Sequence, residues 1–213
     1  MKEHGLYIIK KDFFELVRSL GGDCDFFDGE KRPVYCCMKD NIIGGMYWAI
    51  PTSDLSHRSN AQIEKYNRYM GMKDDDLRSC YYYIGKTTRE SVFKISSCYP
   101  IISKYIDHEY TMNGVHVILR RVDATQEIER RLKRVLAFET RRPNYFPQHI
   151  TDIKNKMIEE LKDDADMPIE NKKMTLFEEI KNGLQSGLDA YNQGIEMKRT
   201  IITTDNSSDT GNN

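Results

Sequence analysis

The 213-residue chain concentrates its reactive side chains in one short segment, "AIPTSDLSHR", residues 49–58. Thr52, Ser53, Ser56, His57 and Arg58 follow directly on Ala49, Ile50 and Pro51. An imidazole exchanges protons near neutrality, so His57 can serve as base or acid. Arg58 supplies a fixed cation, and the hydroxyls and backbone N–H groups around Thr52 and Ser53 can hold phosphate oxygens. These are the parts of RNA cleavage without a metal: a base takes the 2′-hydroxyl proton, and donors stabilise the charged phosphorane as it forms. The same residues also make an ordinary turn after a strand ending at Ile50, with Ser59 capping the next helix. On residue types alone the ordinary turn prevails.

Other candidates are weaker still. "GKTT" (85–88) resembles the end of a phosphate-binding P-loop, but Cys80 stands where that loop needs a glycine. It also falls between two strands rather than before a helix, so nucleoside triphosphate binding is excluded. No G-x-S-x-G, H-E-x-x-H or paired-carboxylate pattern occurs. Five cysteines and five histidines are dispersed, without C-x-x-C or metal-ligand spacing, so neither a disulfide framework nor a structural zinc site is expected. Cys36 and Cys37 lie in an apolar strand pattern and read as buried thiols. Arg130, Lys133 and Arg134 share a helix face that can grip phosphates, or simply pair with Glu127 and Glu129 along the helix. Tyr81, Tyr82 and Tyr83 must alternate between sheet faces, and either stack on bases or pack the sheet.

The elements that position these residues can be read from periodicity. "GLYIIK" (5–10) reads as a strand and "DFFELVRSLGG" (12–22) as a helix opened by Asp12 and Glu15 and stopped by Gly21–Gly22. Two apolar runs around Gly44–Gly45 (33–51) make a β-hairpin. "SNAQIEKYNRYMG" carries a Ser59/Gln62 capping box and a terminal Gly71. "YYYIG" (81–85), "SVFKIS" (91–96) and "VHVIL" (115–119) read as strands. From Ala124, Ile128, Leu132, Val135 and Leu136 mark the apolar face of a helix, followed by helices at 151–162 and 175–194 and a polar tail with the composition of disorder.

The sum is an α+β fold of about five or six short, mostly antiparallel strands curled into a small sheet or barrel with helices around it. Hydrophobic residues are 39% of the chain, enough for a packed core through roughly the first 160 residues. No apolar run reaches the ~18 residues a membrane helix needs, and the N-terminus lacks a secretory pattern, so a soluble cytoplasmic protein is expected. Residues 1–150 hold 24 Lys/Arg against 20 Asp/Glu, a net of +4, while 151–213 hold 8 against 13, a net of −5. The asymmetry points to a polyanion partner for the first part.

The order of these segments adds a resemblance. Strand, helix, the "RPVY" strand, the hairpin into "YWAIPTSDLSHR", "SVFKISSCYPI" and "RRLKRVLAFETRRPNYFPQHITDIKNKMIEEL" together resemble the ToxN/AbiQ/CptN family, most nearly its CptN branch. These are endoribonuclease toxins of bacterial type III toxin–antitoxin systems, which act in abortive infection and phage defence. The resemblance runs from about Leu6 to Leu161. It implies a compact SH3-like antiparallel β-barrel of the Kid/MazF kind with peripheral helices, occupying residues 1–163. An accessory helix (164–195) and a disordered tail (196–213) follow.

The resemblance also implies metal-independent RNA cleavage leaving 2′,3′-cyclic phosphate and 5′-hydroxyl ends, without a cofactor. The implied partners are a structured antitoxin RNA in a closed toxin–RNA assembly and a cellular or phage mRNA substrate, with no membrane. Thr52 and Ser53 match the family's active-site hydroxyl pair. Phe13 replaces a catalytic-pocket tyrosine of some members, and Leu55 replaces a lysine, so His57 and Arg58 are expected to compensate. Arg32 lies near another basic active-site position. Expected RNA contacts are Arg32, Tyr35, Lys86, Thr87, Thr88, Arg89, Arg130, Lys133 and Arg134. A non-catalytic RNA-binding module is the alternative.

Overall fold

Met46 through Ser53 are buried without a break, which makes β3 (Met46–Asp54) the strand around which the sheet is built. The computed structural model describes residues 1–24 and 32–165. The other strands are β1 (Gly5–Ile9), β2 (Val34–Lys39), β4 (Tyr82–Lys86), β5 (Glu90–Lys94), β6 (Tyr99–Ile102) and β7 (Ile106–Glu109). A small hairpin, β8 (Thr111–Met112) with β9 (Val115–His116), stands apart from them. Helices α1 (Lys11–Ser19), α2 (Asn60–Met70), α3 (Val122–Arg141) and α4 (Ile150–Ala165) complete the described residues.

The fold is α+β with a seven-stranded antiparallel sheet in the order β4-β5-β3-β2-β1-β7, β6 adding to β3. No pairing joins β4 to β7 among the described residues. One edge of β3 serves two partners in turn, β6 along Met46–Ala49 and β5 along Thr52–Asp54. Pro51, which has no N–H to give, falls at the changeover between them. The strand therefore does not end at Ile50 as its sequence suggests. It carries Thr52 and Ser53 on through the sheet.

The hairpin turns where expected. Gly45 takes φ +82°, the left-handed region that favours glycine. Asp40 clamps the turn by accepting from the N–H groups of Ile42 and Ile43 and from Trp48 Nε1 (3.0, 2.9 and 3.1 Å). The capping box of α2 forms as read, Gln62 N–H donating to Ser59 Oγ and Ser59 N–H to Gln62 Oε1. α3 buries Ile128, Leu132 and Val135, the face its periodicity marks. All five cysteines are buried free thiols, and burial pushes the Cys36 thiol up to about 12.

Some elements differ from the reading. α1 starts at Lys11 without a side-chain cap, because the extended Lys10 is tied by its N–H to Tyr105 O (2.9 Å) and sets the register itself. Asp12 instead lies in the first turn. The run 115–119 contributes only a two-residue strand and an isolated bridge from Ile118 to Gly5. β6 and β7 have no counterpart in the reading: Pro100 masks the first, and the exposed, non-alternating Ile106–Glu109 hides the second. The expected helix at 175–194 and the tail lie outside the described residues, as does most of the accessory segment. Among the described residues no helix is long and apolar enough to cross a membrane.

Candidate functional site

The far end of β3 opens into a cleft of about 720 Å³. Its walls come from five places in the chain. β3 and the 3-10 turn after it (Leu55–His57) bring Thr52, Ser53, Asp54, His57 and Arg58. The start of β2 brings Arg32 and Pro33, and the β4–β5 loop brings Thr87, Thr88, Arg89 and Ser91. Leu6, Tyr110 and Met112 supply the apolar remainder.

Hydrogen bonds fix the centre. Thr52 is 5% and Ser53 9% exposed, so neither is an ordinary surface hydroxyl. Thr52 Oγ1 donates to Pro33 O (2.7 Å), which commits its proton and joins β3 to the chain entering β2. Arg58 Nη2 donates to Ser53 Oγ, leaving the serine's own proton for another acceptor. Arg58 Nε is buried and has no hydrogen-bond partner among the described residues. Burying a guanidinium N–H unpaired is costly, so an anion that accepts from it is favoured at this point.

The rim is set by Asp54. Its carboxylate accepts from the hydroxyl and N–H of Ser56 (2.7 and 2.8 Å), which starts the turn that carries His57 and Arg58. Those bonds, with Arg89 Nη1 at 3.4 Å, hold the Asp54 carboxyl below the usual carboxylate range. Thr87 and Ser91 hydroxyls lie 3.2 Å apart and close the β4–β5 loop on itself. His57 is exposed at the cleft, and no described residue hydrogen-bonds its ring.

The fold thus gathers Thr52, Ser53, His57, Arg58, Arg32, Thr87, Thr88 and Arg89 around one cleft. Lys86 lines a neighbouring pocket that shares Leu6 and Thr87 with it and adds Arg120 and Arg121. Tyr35 departs from its expected role: it is 0% exposed, its hydroxyl bonds His4 Nδ1 (2.8 Å), and its ring packs edge-on to Phe93. It is a core residue rather than a surface contact. Phe13 is likewise core, packed on Tyr99 and Tyr105.

Arg130, Lys133 and Arg134 do not line the cleft, and each is paired on its own helix or with the loop beside it. Arg130 meets Glu127 (2.8 Å), Lys133 meets Glu129 (3.6 Å), and Arg134 donates to the Asp74 carbonyl. The reading missed Asp54, Ser91, Tyr110 and Met112. Asp54 and Ser91 adjoin segments already singled out, whereas Tyr110 and Met112 come from the junction of β7 and β8, which has no legible pattern.

No protein-family model matches this chain, and no curated protein does. Two solved structures are similar at 10% identity. One carries the description "A processed non-coding RNA regulates a bacterial antiviral system", with a TM-score of 0.33 over 77% of this chain and 89% of that one. The other, on "bacterial Type III toxin-antitoxin systems: selective toxin inhibition by a non-coding RNA pseudoknot", has a TM-score of 0.32 over 90% of this chain and 99% of that one. At this identity and TM-score neither fixes an activity for this chain.

Proposed function

We propose that the chain is a metal-independent endoribonuclease of the ToxN/AbiQ/CptN kind, held in check by a small structured antitoxin RNA. The observation that carries this is Arg58: one guanidinium nitrogen fixes Ser53 while Nε is buried without a partner among the described residues, beside His57 in a cleft that also holds Arg32 and Arg89. A phosphodiester fits that arrangement. Its negative oxygens take the unfilled Arg58 donor and the Ser53 proton.

The reaction needs no group beyond these. His57 removes the proton from the 2′-hydroxyl, whose oxygen attacks the adjacent phosphorus. The bond from phosphorus to the 5′-oxygen breaks, leaving a 2′,3′-cyclic phosphate, and the departing oxygen takes the proton that His57 removed, directly or through water, to become the 5′-hydroxyl. Arg58 Nε and Ser53 Oγ–H face the charge that accumulates on phosphorus-bound oxygens, the position where fixed donors contribute most. Thr52, whose proton is held by Pro33, is a positioning residue that keeps Ser53 in register. The same proposal carries the finer reading of the fold, an SH3-like barrel most like the CptN branch, and the finer partners, a repeat-derived antitoxin RNA and an mRNA substrate.

A second reading, a non-catalytic RNA-binding module, is favoured by one feature: nothing described orients the His57 ring. The two separate in a single assay. RNA is incubated with the full chain in EDTA, alongside Ser53→Ala and His57→Ala. Cleavage that falls by roughly 100-fold or more in both variants supports the enzyme. RNA bound but intact supports the binding module. Wild-type cleavage by both variants removes this site assignment.

A further inference from the structure

A second cavity, of about 380 Å³, meets β3 at Pro51, the residue before Thr52. That volume lies within the ~300–1,000 Å³ range of small-ligand pockets. Its character differs from the cleft's. Tyr69, Tyr81, Tyr145 and Phe146 wall it with rings in edge contact, Tyr81 to Phe146 at 5.9 Å and Tyr145 to Phe146 at 5.2 Å. Tyr145 is nevertheless 50% exposed, a large ring left open to solvent. Cations gather at Tyr69, with Lys65 Nζ 5.8 Å and the Arg68 guanidinium 5.6 Å from its ring centre. Tyr99 also lines the cavity, 1% exposed, and its hydroxyl is buried with no hydrogen-bond partner among the described residues.

The walls are held rigidly for reasons unrelated to the cleft. Gly22 packs so closely that a Cβ there would lie 2.5 Å from Gln148 O. Gln148 in turn donates its side-chain amide to the carbonyls of Ser96 and Cys98 (2.9 and 2.8 Å). Buried Glu139 accepts from the N–H groups of Asn144 and Tyr145 (2.6 and 3.3 Å), fixing the loop that presents Tyr145 and Phe146. A preformed site of aromatic faces, one unmet buried hydroxyl and cations at one wall suits a flat heteroaromatic ring joined to a phosphate.

We infer that this cavity receives one unstacked base of the RNA strand whose backbone is cut in the cleft. The inference rests on the proposed function and goes beyond it, naming where sequence selectivity enters. The base stacks against Tyr145 and Tyr81, the attached phosphate meets Lys65 or Arg68, and the base edge faces the wall formed by Tyr99. Pro51 and Thr52 are consecutive and so point to opposite faces of β3, and the captured base therefore belongs to a nucleotide that has passed round the end of the strand from the cleaved bond.

The test uses the full chain and a 2′-O-methyl RNA oligonucleotide, which cannot be cut by 2′-oxygen attack, with an abasic site walked along it. The wild type should lose about tenfold or more in affinity at one abasic position. Tyr145→Ala should weaken the intact oligonucleotide by a similar factor and abolish that penalty. Tyr99→Phe, which keeps the ring and the packing, should weaken binding less and keep the penalty. Steeply salt-dependent binding with no abasic penalty, or a penalty that survives in both Tyr145→Ala and Tyr81→Ala, overturns the pocket and leaves the nuclease reading standing. Failure of the wild type to bind the intact oligonucleotide at low salt overturns both. Thermal melts establish that each variant is folded.

Discussion

Arginines mark two regions of this molecule, and the two are wired oppositely. On α3, Arg130 and Arg131 share Glu127, Lys133 meets Glu129, and Arg131 reaches the carbonyls of Ser79 and Tyr82 at 2.8 and 2.7 Å. Each of those cations has a partner on the protein, and Arg131 is the strut that ties the helix to the approach to β4. At the cleft, Arg58 touches a serine hydroxyl and keeps a buried N–H without a partner among the described residues. Density of positive charge therefore does not mark the proposed site. What marks it is a cation with an N–H that no described residue fills.

The largest consequence of that contrast is kinetic. Arg58→Ala should lower RNA cleavage by about 100- to 1,000-fold, the effect of removing one transition-state donor. Single-turnover rates at saturating RNA measure it. A loss of less than tenfold would place Arg58 with the α3 arginines.

The mirror-image variant acts on stability. Arg131→Ala removes a half-buried cation that satisfies two carbonyls and a carboxylate, and should cost about 2–3 kcal/mol of folding free energy. Urea denaturation reads it, and Arg58→Ala should shift the midpoint less. Equal shifts in the two variants would erase the distinction between strut and site.

The smallest effect is in acid. The hydrogen bond from Arg130, with Arg131 adding to it against the cost of burial, pulls the Glu127 carboxyl from its ordinary 4.5 to about 2. A carboxyl whose folded value is depressed binds its proton more readily in the unfolded chain. Its contribution to stability is thus complete above pH 4.5 and lost as the pH falls toward 2. Glu127→Gln should flatten the stability profile within that window and leave its shape near neutrality unchanged. An unchanged acid limb would mean that the α3 pairs are solvated ornaments rather than a strut.

Much of the framework is legible in the chain because local rules and tertiary packing agree. The Gly44–Gly45 hairpin, the Ser59/Gln62 box and the Ile128–Leu132–Val135 face are each set within a few residues, and each forms. The segment from Thr52 to Arg58 and the loop from Lys86 to Arg89 also stand out by content, though no local rule says that they meet. That meeting depends on the register of β3 against β5, Thr52 opposite Phe93 and Asp54 opposite Ser91.

Where packing overrides pattern, the sequence misleads. Tyr35 has the residue type of a base-stacking contact but lies on the inward run of β2. Arg134 lies on a basic helix face, but its partner is the Asp74 carbonyl, sixty residues away in sequence. The aromatic cavity is the least legible of all, since Tyr69, Tyr81 and Tyr145 come from three separate elements and no spacing links them.

The central claim is that the cleft cuts RNA by 2′-oxygen attack, and the product ends test it most directly. A short RNA incubated with the full chain in EDTA, then analysed by mass spectrometry, should yield fragments ending in 2′,3′-cyclic phosphate paired with fragments beginning in 5′-hydroxyl, and Arg58→Ala should yield almost none. Fragments with 5′-phosphate ends, or intact RNA from a folded, RNA-binding wild type, would contradict it.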